Sequence, residues 1–344
     1  MSVAASSRYG PRATIATLAI LLVVVAVVSL GVGRYDIPFL RVVEILWSPI
    51  SPPAVPVTAT EANVVFTVRM PRILLALLAG AGLAVSGATL QGVFRNPLVG
   101  PQVMGVSSGA AFGGTLAILL SFSRYGLLGS AFIFGLSALV IVYGLNGIVA
   151  RRNILALVLA GVVVSGFFGA LVSLVQYLAD TEDKLPAMVF WLLGSFATAN
   201  WEKFWLIAGP VVVGSLLLLG LRWRINLLSI GDEDARALGV NVEPLRWLIL
   251  VLVSCIVAAQ VAVSGIIGWV GLVVPHMARM LVGPDHRVMM PASLLIGALY
   301  LLIIDTIART ATSSEIPLGI LTALIGTPVF ALVLRQTQRG ARGF

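Results

Sequence analysis

Charge, histidine, lysine and cysteine are all scarce in this chain. Only 10% of its 344 residues are charged, where soluble domains carry about 25%, so a soluble globule is excluded. The single cysteine, Cys255, lies within an apolar run; an intrachain disulfide is impossible, and cysteine usage is silent on the redox compartment. Two histidines, His276 and His286, are too few to build a zinc site with that one cysteine, and the acids Asp232, Glu233 and Asp234 lack the spacing of a calcium loop. No metal and no other cofactor is expected in this chain. Its two lysines, Lys184 and Lys203, follow Asp183 and Glu202, whereas a Walker A loop needs a phosphate-binding lysine after glycine. ATP hydrolysis by the chain itself is therefore not expected, and no nucleophile–base pair points to a membrane-embedded enzyme.

Apolar residues, by contrast, make up 59% of the sequence. A bilayer core takes about 20 of them per helix. On that measure the chain reads as an all-α integral membrane protein of ten spans, near residues 13–33, 71–91, 103–122, 127–150, 153–178, 203–222, 245–265, 268–283, 289–310 and 316–334. Residues 1–344 form a single transmembrane domain in this reading. The first span has a long apolar run without a clear small-residue cleavage site, so it reads as a true helix and not a cleavable signal. Counting basic residues on alternate sides places Arg8, Arg12, Arg95, Arg151, Arg152, Arg222, Arg224, Arg236, Arg246, Arg279, Arg287, Arg335, Arg339 and Arg342 on the richer side, and Arg34, Arg41, Arg69, Arg72, Arg124, Lys184, Lys203 and Arg309 on the poorer one. With the richer side inside, both termini are expected in the cytoplasm. The net charge of +8 matches this bias and contact with anionic membrane lipid, with no reason to invoke nucleic acid.

Polar punctuation is concentrated in few places. The segment 230–242, IGDEDARALGVNV, is a charged island between apolar spans. Asp232, Glu233, Asp234, Ala235, Arg236 and Leu238 lie between Gly231 and Gly239 as a short polar amphipathic segment, suited to projecting into a groove on a partner. A solvated loop whose acids favour the helix dipole has the same composition. Glycines 80, 82, 87, 92, 105, 109, 113 and 114 crowd the second and third spans, where small residues let helices approach closely. Between those spans the prolines of Phe94-Arg95-Asn96-Pro97-Leu98-Val99-Gly100-Pro101 prevent a regular helical connection; it is either a gate beside a pathway or an ordinary cytoplasmic turn. One internal echo is visible, Ala84-Val85-Ser86-Gly87 against Ala262-Val263-Ser264-Gly265. Because the second span runs inward and the seventh outward, two such copies would be inverted, as is common in transporters.

The stretches RMPRILLALLAGAGLAVSGATLQGVFRNPLVGPQVMGVSSGAAFGG and SGIIGWVGLVVPHMARMLVGPDHR, together with GDEDARALGV between them and IPLGILTALIGTPVF after them, resemble the FecCD-type permeases, membrane subunits of type II ABC importers for iron-siderophores, haem and vitamin B12. The similarity spans nearly the whole chain. It implies ten spans with inverted repeats of spans 2–5 and 7–10, a second permease subunit, most simply an identical one, and two separate ATPase subunits that bind the ATP. It also implies a periplasmic or lipid-anchored substrate-binding protein and a bacterial-type inner membrane. By the same resemblance, Gly231 to Gly239 dock on the ATPase, Asn96, Pro97 and Leu98 lie at the cytoplasmic gate, and Arg69, Arg72 and Arg309 receive acidic residues of the binding protein. Arginine suits that task, since its planar donor fork can grip a carboxylate in two places; anchoring at the membrane interface is the ordinary alternative. Asp305 stands four residues before Arg309, so the two are expected to pair on one helix face.

Spans five and ten, expected to line the passage, offer mainly Val, Leu, Ala, Gly, Ser165, Ser173 and Gln176, a surface that holds a ligand weakly. Trp191, Trp201 and Trp205 read as interfacial anchors. Ferric siderophore is the first substrate expected, with haem, cobalamin and molybdate behind it. An ion-coupled secondary transporter is the competing class, for which Asp305 would be the coupling carboxylate.

Overall fold

Where backbone N–H and C=O groups have no water, they must satisfy one another, so apolar segments of this length fold as helices. The computed structural model of the chain describes residues 10–33, 35–51, 55–149 and 154–341, and their regular structure is helical throughout. In chain order come α1 (Pro11–Gly31), α2 (Phe39–Trp47), α3 (Ala59–Ala62), a π-helical stretch Asn63–Arg69, α4 (Met70–Phe94), a 3₁₀ turn Pro101–Met104, α5 (Val106–Leu119), α6 (Arg124–Val149) and α7 (Ile154–Tyr177). They are followed by α8 (Lys184–Leu192), α9 (Trp201–Gly220), α10 (Arg222–Leu228), α11 (Asp232–Ala237), α12 (Val242–Ser264), α13 (Val270–Val282), α14 (His286–Thr310) and α15 (Leu318–Ala341). Arg8, Arg34, Arg151, Arg152 and Arg342 lie outside the described residues.

Among the described residues, seven helices are long and apolar enough to cross a membrane: α1, the continuous rod Ala59–Phe94, α6, α7, α9, α12 and α14. The remaining three expected spans are shorter apolar helices, Val106–Leu119, Val270–Val282 and Leu318–Leu332. Two of them start late for a local reason. Gly105 (φ +74) and Gly265 (φ +70) take left-handed backbone that ends the preceding helical path. The non-helical backbone left at depth is satisfied by protein: Ser195 N–H donates to Ser264 O (2.8 Å), Leu318 N–H to Gly194 O (2.8 Å) and Gly319 N–H to Leu193 O (2.9 Å). Loops preceding α9, α13 and α15 are thereby knitted together.

The packing carries the repeat more clearly than the sequence does. α4 packs on α13 and α14, while α12 packs on α5 and α6; α5 packs on α6 and α7 as α13 packs on α14 and α15. Exchanging each of α4 to α7 with its counterpart among α12 to α15 preserves the pattern, and the counterparts are five spans apart, which reverses their direction. The Ala-Val-Ser-Gly echo falls in one of these counterpart pairs, α4 and α12, but at different points along the two helices: Gly87 lies inside α4 whereas Gly265 caps α12.

Small residues are what bring α4 and α14 together. A Cβ on Gly80 would lie 2.1 Å from the carbonyl oxygen of Gly297, and one on Gly87 would lie 1.8 Å from that of Gly271, so backbones touch at both crossings. Trp191 is not an interfacial anchor: its ring fills the space over Gly114. Trp205 is exposed, and Trp201 donates its indole N–H to Phe66 O at 2.9 Å. Gly297→Val is expected to force α4 and α14 apart at a destabilisation of about 1–3 kcal/mol, read as a lower unfolding midpoint in detergent. Gly129→Ala, where an added Cβ meets nothing within 4 Å, should leave that midpoint in place.

Candidate functional site: an ionic rim and a projecting polar helix

The π-helical stretch Asn63–Arg69 widens the turn just before α4 and delivers Arg69 and Arg72 to the ends of α1 and α14. Arg69, Arg72 and Arg309 are all buried, 6%, 9% and 7% exposed, so none extends as a free surface group. Arg72 donates through Nε and Nη2 to Asp305 at 2.9–3.1 Å and through Nη1 and Nη2 to Glu315 at 2.8 and 2.9 Å. Asp305 is fully buried. The expected Asp305–Arg309 pair is therefore corrected. The carboxylate hydrogen-bonds across helices to Arg72, and Arg309 reaches the end of α1, donating to Val32 O (2.6 Å) and to Ser29 Oγ (2.9 Å). Arg69 joins it there, donating to Leu30 O (2.6 Å), Gly31 O (2.8 Å) and Tyr35 O. Two guanidinium groups at a helix C-terminus satisfy carbonyls left open by the last turn and oppose the negative end of its dipole.

The three arginines thus stand together as expected, but their terminal Nη donors are already engaged within the chain, while Arg309 Nε is buried without a partner among the described residues. Tyr35, Val64, Arg69, Arg72, Arg309 and Glu315 enclose a cavity of about 210 Å³ on this rim. Glu315, which reasoning from sequence passed over, is the member of the cluster most open to water, its side chain 28% exposed against 10% for Arg72 and 0% for Asp305.

At the other end of α12, the charged island folds as α11. Gly239 (φ +82) closes it, with Gly239 N–H donating to Arg236 O and Val240 N–H to Ala235 O, both at 2.9 Å, the paired bonds of a glycine C-cap. Gly231 and Ala235 are buried at its base, while Glu233, Asp234, Arg236, Leu238 and Gly239 are exposed. Asp232 differs from its neighbours. Both its oxygens accept from Arg246 Nη2, at 2.9 and 2.8 Å, and Arg246 is 3% exposed on α12, with Glu243 as a further partner at 3.2 Å. A second tie lies just before the island, where Asn226 Oδ1 on α10 accepts from the backbone N–H of His286 at 3.0 Å. The adjacent Asp285 accepts from both the backbone and the guanidinium of Arg287, which holds its carboxyl below the ordinary carboxylate range. α11 is consequently a projecting tip with a rigid base on α12 and α14, beside an open groove of about 560 Å³ lined by Trp223, Arg224, Leu238, Val240 and Pro244.

Asn96, Pro97 and Leu98 form an exposed turn. Asn96 Oδ1 accepts from Leu98 N–H at 2.9 Å, and Arg95 takes the left-handed C-cap of α4. Beyond it the chain burrows inward, Pro101 against Gly271 of α13 and Val103 against Gly161 of α7. The segment that follows the turn, and not the exposed turn itself, is what packs on the fifth and eighth spans.

A profile of the FecCD transport family matches residues 21–336. The chain is 51% identical over 323 residues to a protein of Haemophilus influenzae described as the molybdate import system permease MolB, covering 94% of this chain and 95% of that one. It is 38% identical over 346 residues to the hemin transport system permease HmuU of Yersinia pestis, covering 97% and 99%. Among solved structures, one described as an inward-facing metal-chelate type ABC transporter superposes with a TM-score of 0.85 at 49% identity, covering 94% of this chain and 98% of that one.

Arg72→Met, which strands Asp305 as a buried charge, is expected to destabilise the fold by about 3–5 kcal/mol. Replacing Arg72, Asp305 and Glu315 together by Met, Leu and Gln should recover most of that loss. Denaturation midpoints of the single and triple variants check both halves of the statement.

Proposed function

The chain belongs to the FecCD transport family, and from that membership we propose that it is the membrane-spanning permease subunit of a type II ABC importer. Two copies, or this chain and a related permease, enclose the passage. Two separate ATPase subunits bind and hydrolyse ATP on the cytoplasmic side, where both termini lie, and a substrate-binding protein delivers cargo to the outer rim. The observation that carries this reading is α11: a short helix with Glu233, Asp234, Arg236 and Leu238 exposed, anchored through Asp232 to α12. A tip that must push on transmembrane helices needs a stiff base, which a merely solvated loop does not. ATP-driven closure of the ATPases displaces this tip, and the displacement passes into α12 through Arg246 and into α14 through the Asn226–His286 contact.

Molybdate is the substrate we place first, ahead of ferric siderophore, because the similarity to a permease described as importing molybdate is 51% over 94% of the chain, against 38% for the hemin permease. The secondary-transporter alternative loses its main support. Asp305 is paired with Arg72 and lies five residues from the end of α14, about 7.5 Å along the helix, so it is neither free nor at mid-depth. The Asn96-Pro97-Leu98 turn is assigned to the cytoplasmic gate, a role supported by its leading directly into the segment Pro101–Met104 that packs on α7 and α13.

Proteoliposomes holding the chain, its ATPase and its binding protein test the assignment, with molybdate, ferric siderophore, haem and cobalamin offered in turn. ATP-dependent uptake of molybdate that resists a protonophore is expected. Uptake by the chain alone that collapses with the proton gradient would overturn the importer reading, and ATP-dependent uptake of another ligand without molybdate would overturn the substrate. Leu238→Asp, at a residue 62% exposed, should weaken ATPase association at least tenfold, about 1.4 kcal/mol, without lowering the permease's own unfolding midpoint; co-purification at graded ATPase concentration reads the change.

A further inference from the structure

Arg72 holds two carboxylates of unequal standing. Asp305 is wholly enclosed between α4 and α14, whereas Glu315 reaches in from the loop 311–317 and keeps 28% of its side chain in contact with water. Both oxygens of Glu315 engage the outer edge of the guanidinium, at 2.8 Å to Nη1 and 2.9 Å to Nη2. This is the fork-to-fork grip that an acidic side chain of another protein would make. The same edge borders the cavity shared with Tyr35, Arg69 and Arg309.

We propose that Glu315 is an internal stand-in for a carboxylate of the substrate-binding protein: in the undocked permease it occupies the edge of Arg72 that docking requires, and an incoming acid displaces it. The inference rests on the importer reading and on docking at this rim. Exchange at this edge is cheap, because one hydrated carboxylate replaces another on the same cation and Asp305 stays paired throughout; exchange of Asp305 would leave a buried charge alone. Glu315 thus acts through Arg72 as a positioning residue that keeps the guanidinium oriented and sets the threshold for docking.

Its displacement also has a mechanical consequence. Immediately after Glu315 the chain is held by Ile316 N–H on Ala308 O (3.1 Å), Leu318 N–H on Gly194 O and Gly319 N–H on Leu193 O. With the Glu315 tether gone, the loop remains tied through these backbone bonds to α14 and to the end of α8. Docking is then felt at the start of α15, one of the helices expected to line the passage.

The complete transporter in nanodiscs, titrated with its cognate binding protein, provides the test. Glu315→Gln keeps the shape and removes the competing charge, and is expected to tighten binding about tenfold and to raise ATP hydrolysis measured without binding protein toward the docked rate. A purely structural Glu315 predicts a lower unfolding midpoint with unchanged or weaker binding, and that result overturns the inference. Should Glu315→Gln not assemble, Glu315→Asp, one methylene shorter, should tighten binding several-fold; no tightening would again overturn it. Intact wild-type docking that ignores both variants sinks this inference alone, whereas a wild-type transporter that never engages the binding protein sinks the importer reading with it.

Discussion

A carboxylate buried among transmembrane helices is costly unless it is paired, and Asp305 is tolerable only because Arg72 answers both of its oxygens. Since the two residues sit on different spans, satisfying the charge fixes the outer ends of α4 and α14 against each other. Farther down, Gly80 meets Gly297 with backbones in contact, and the crossing is held at a second point. Two points along a line determine an orientation. α1 is then added to the pair, its terminal carbonyls clasped by Arg69 from α4 and Arg309 from α14. The rim is one polar assembly in which Arg72 serves the two carboxylates and Arg69 and Arg309 serve the end of α1.

The end that carries α11 solves a different problem with the same chemistry. There the requirement is to make a short surface helix rigid relative to the spans behind it. Arg246, buried on α12, holds Asp232, and Asn226 holds the N-terminus of α14. α12 and α14 are both in contact with α4, which is buried along nearly its whole length. A displacement of α11 therefore has a continuous path through packed helices to the outer rim, with no flexible linker between them.

Features that depend on local composition were legible in the sequence: the apolar spans, the charged island, the prolines that break the chain after α4, and the glycines at helix crossings. Features that depend on which helices meet were not. Asp305 and Arg309 share a helix face at a spacing of four, which is the pairing a one-dimensional reading favours, yet Arg72 comes from 233 residues away and takes the carboxylate because it approaches across the interface. Arg246 escaped notice for a similar reason. In sequence it is one more cytoplasmic arginine, and only the turn after Gly239 brings it under Asp232. The Ala-Val-Ser-Gly echo falls in the counterpart helices α4 and α12 without fixing their alignment, since the four small residues lie inside one helix and at the end of the other. The repeat lives in the reciprocal packing of the helices, which constrains side-chain size at crossings without fixing residue identity.

The distribution of these ties also indicates where motion can occur. Helices joined by ion pairs, by backbone contact at glycine and by clasped termini move as bodies, because side chains packed at interior density do not deform continuously. What remains adjustable is the backbone that is not helical: the turn at Asn96, Pro97 and Leu98, the left-handed glycines at 105, 194 and 265, and the loop that carries Glu315. Each of these borders one of the short apolar helices or the loop before it, and each is held by a few hydrogen bonds in place of a whole helix face. Alternating access built this way needs little binding energy from the passage itself. Under the importer function proposed above, the passage can stay apolar and weakly retentive, because recognition falls to a separate binding protein and the work to the ATPase subunits.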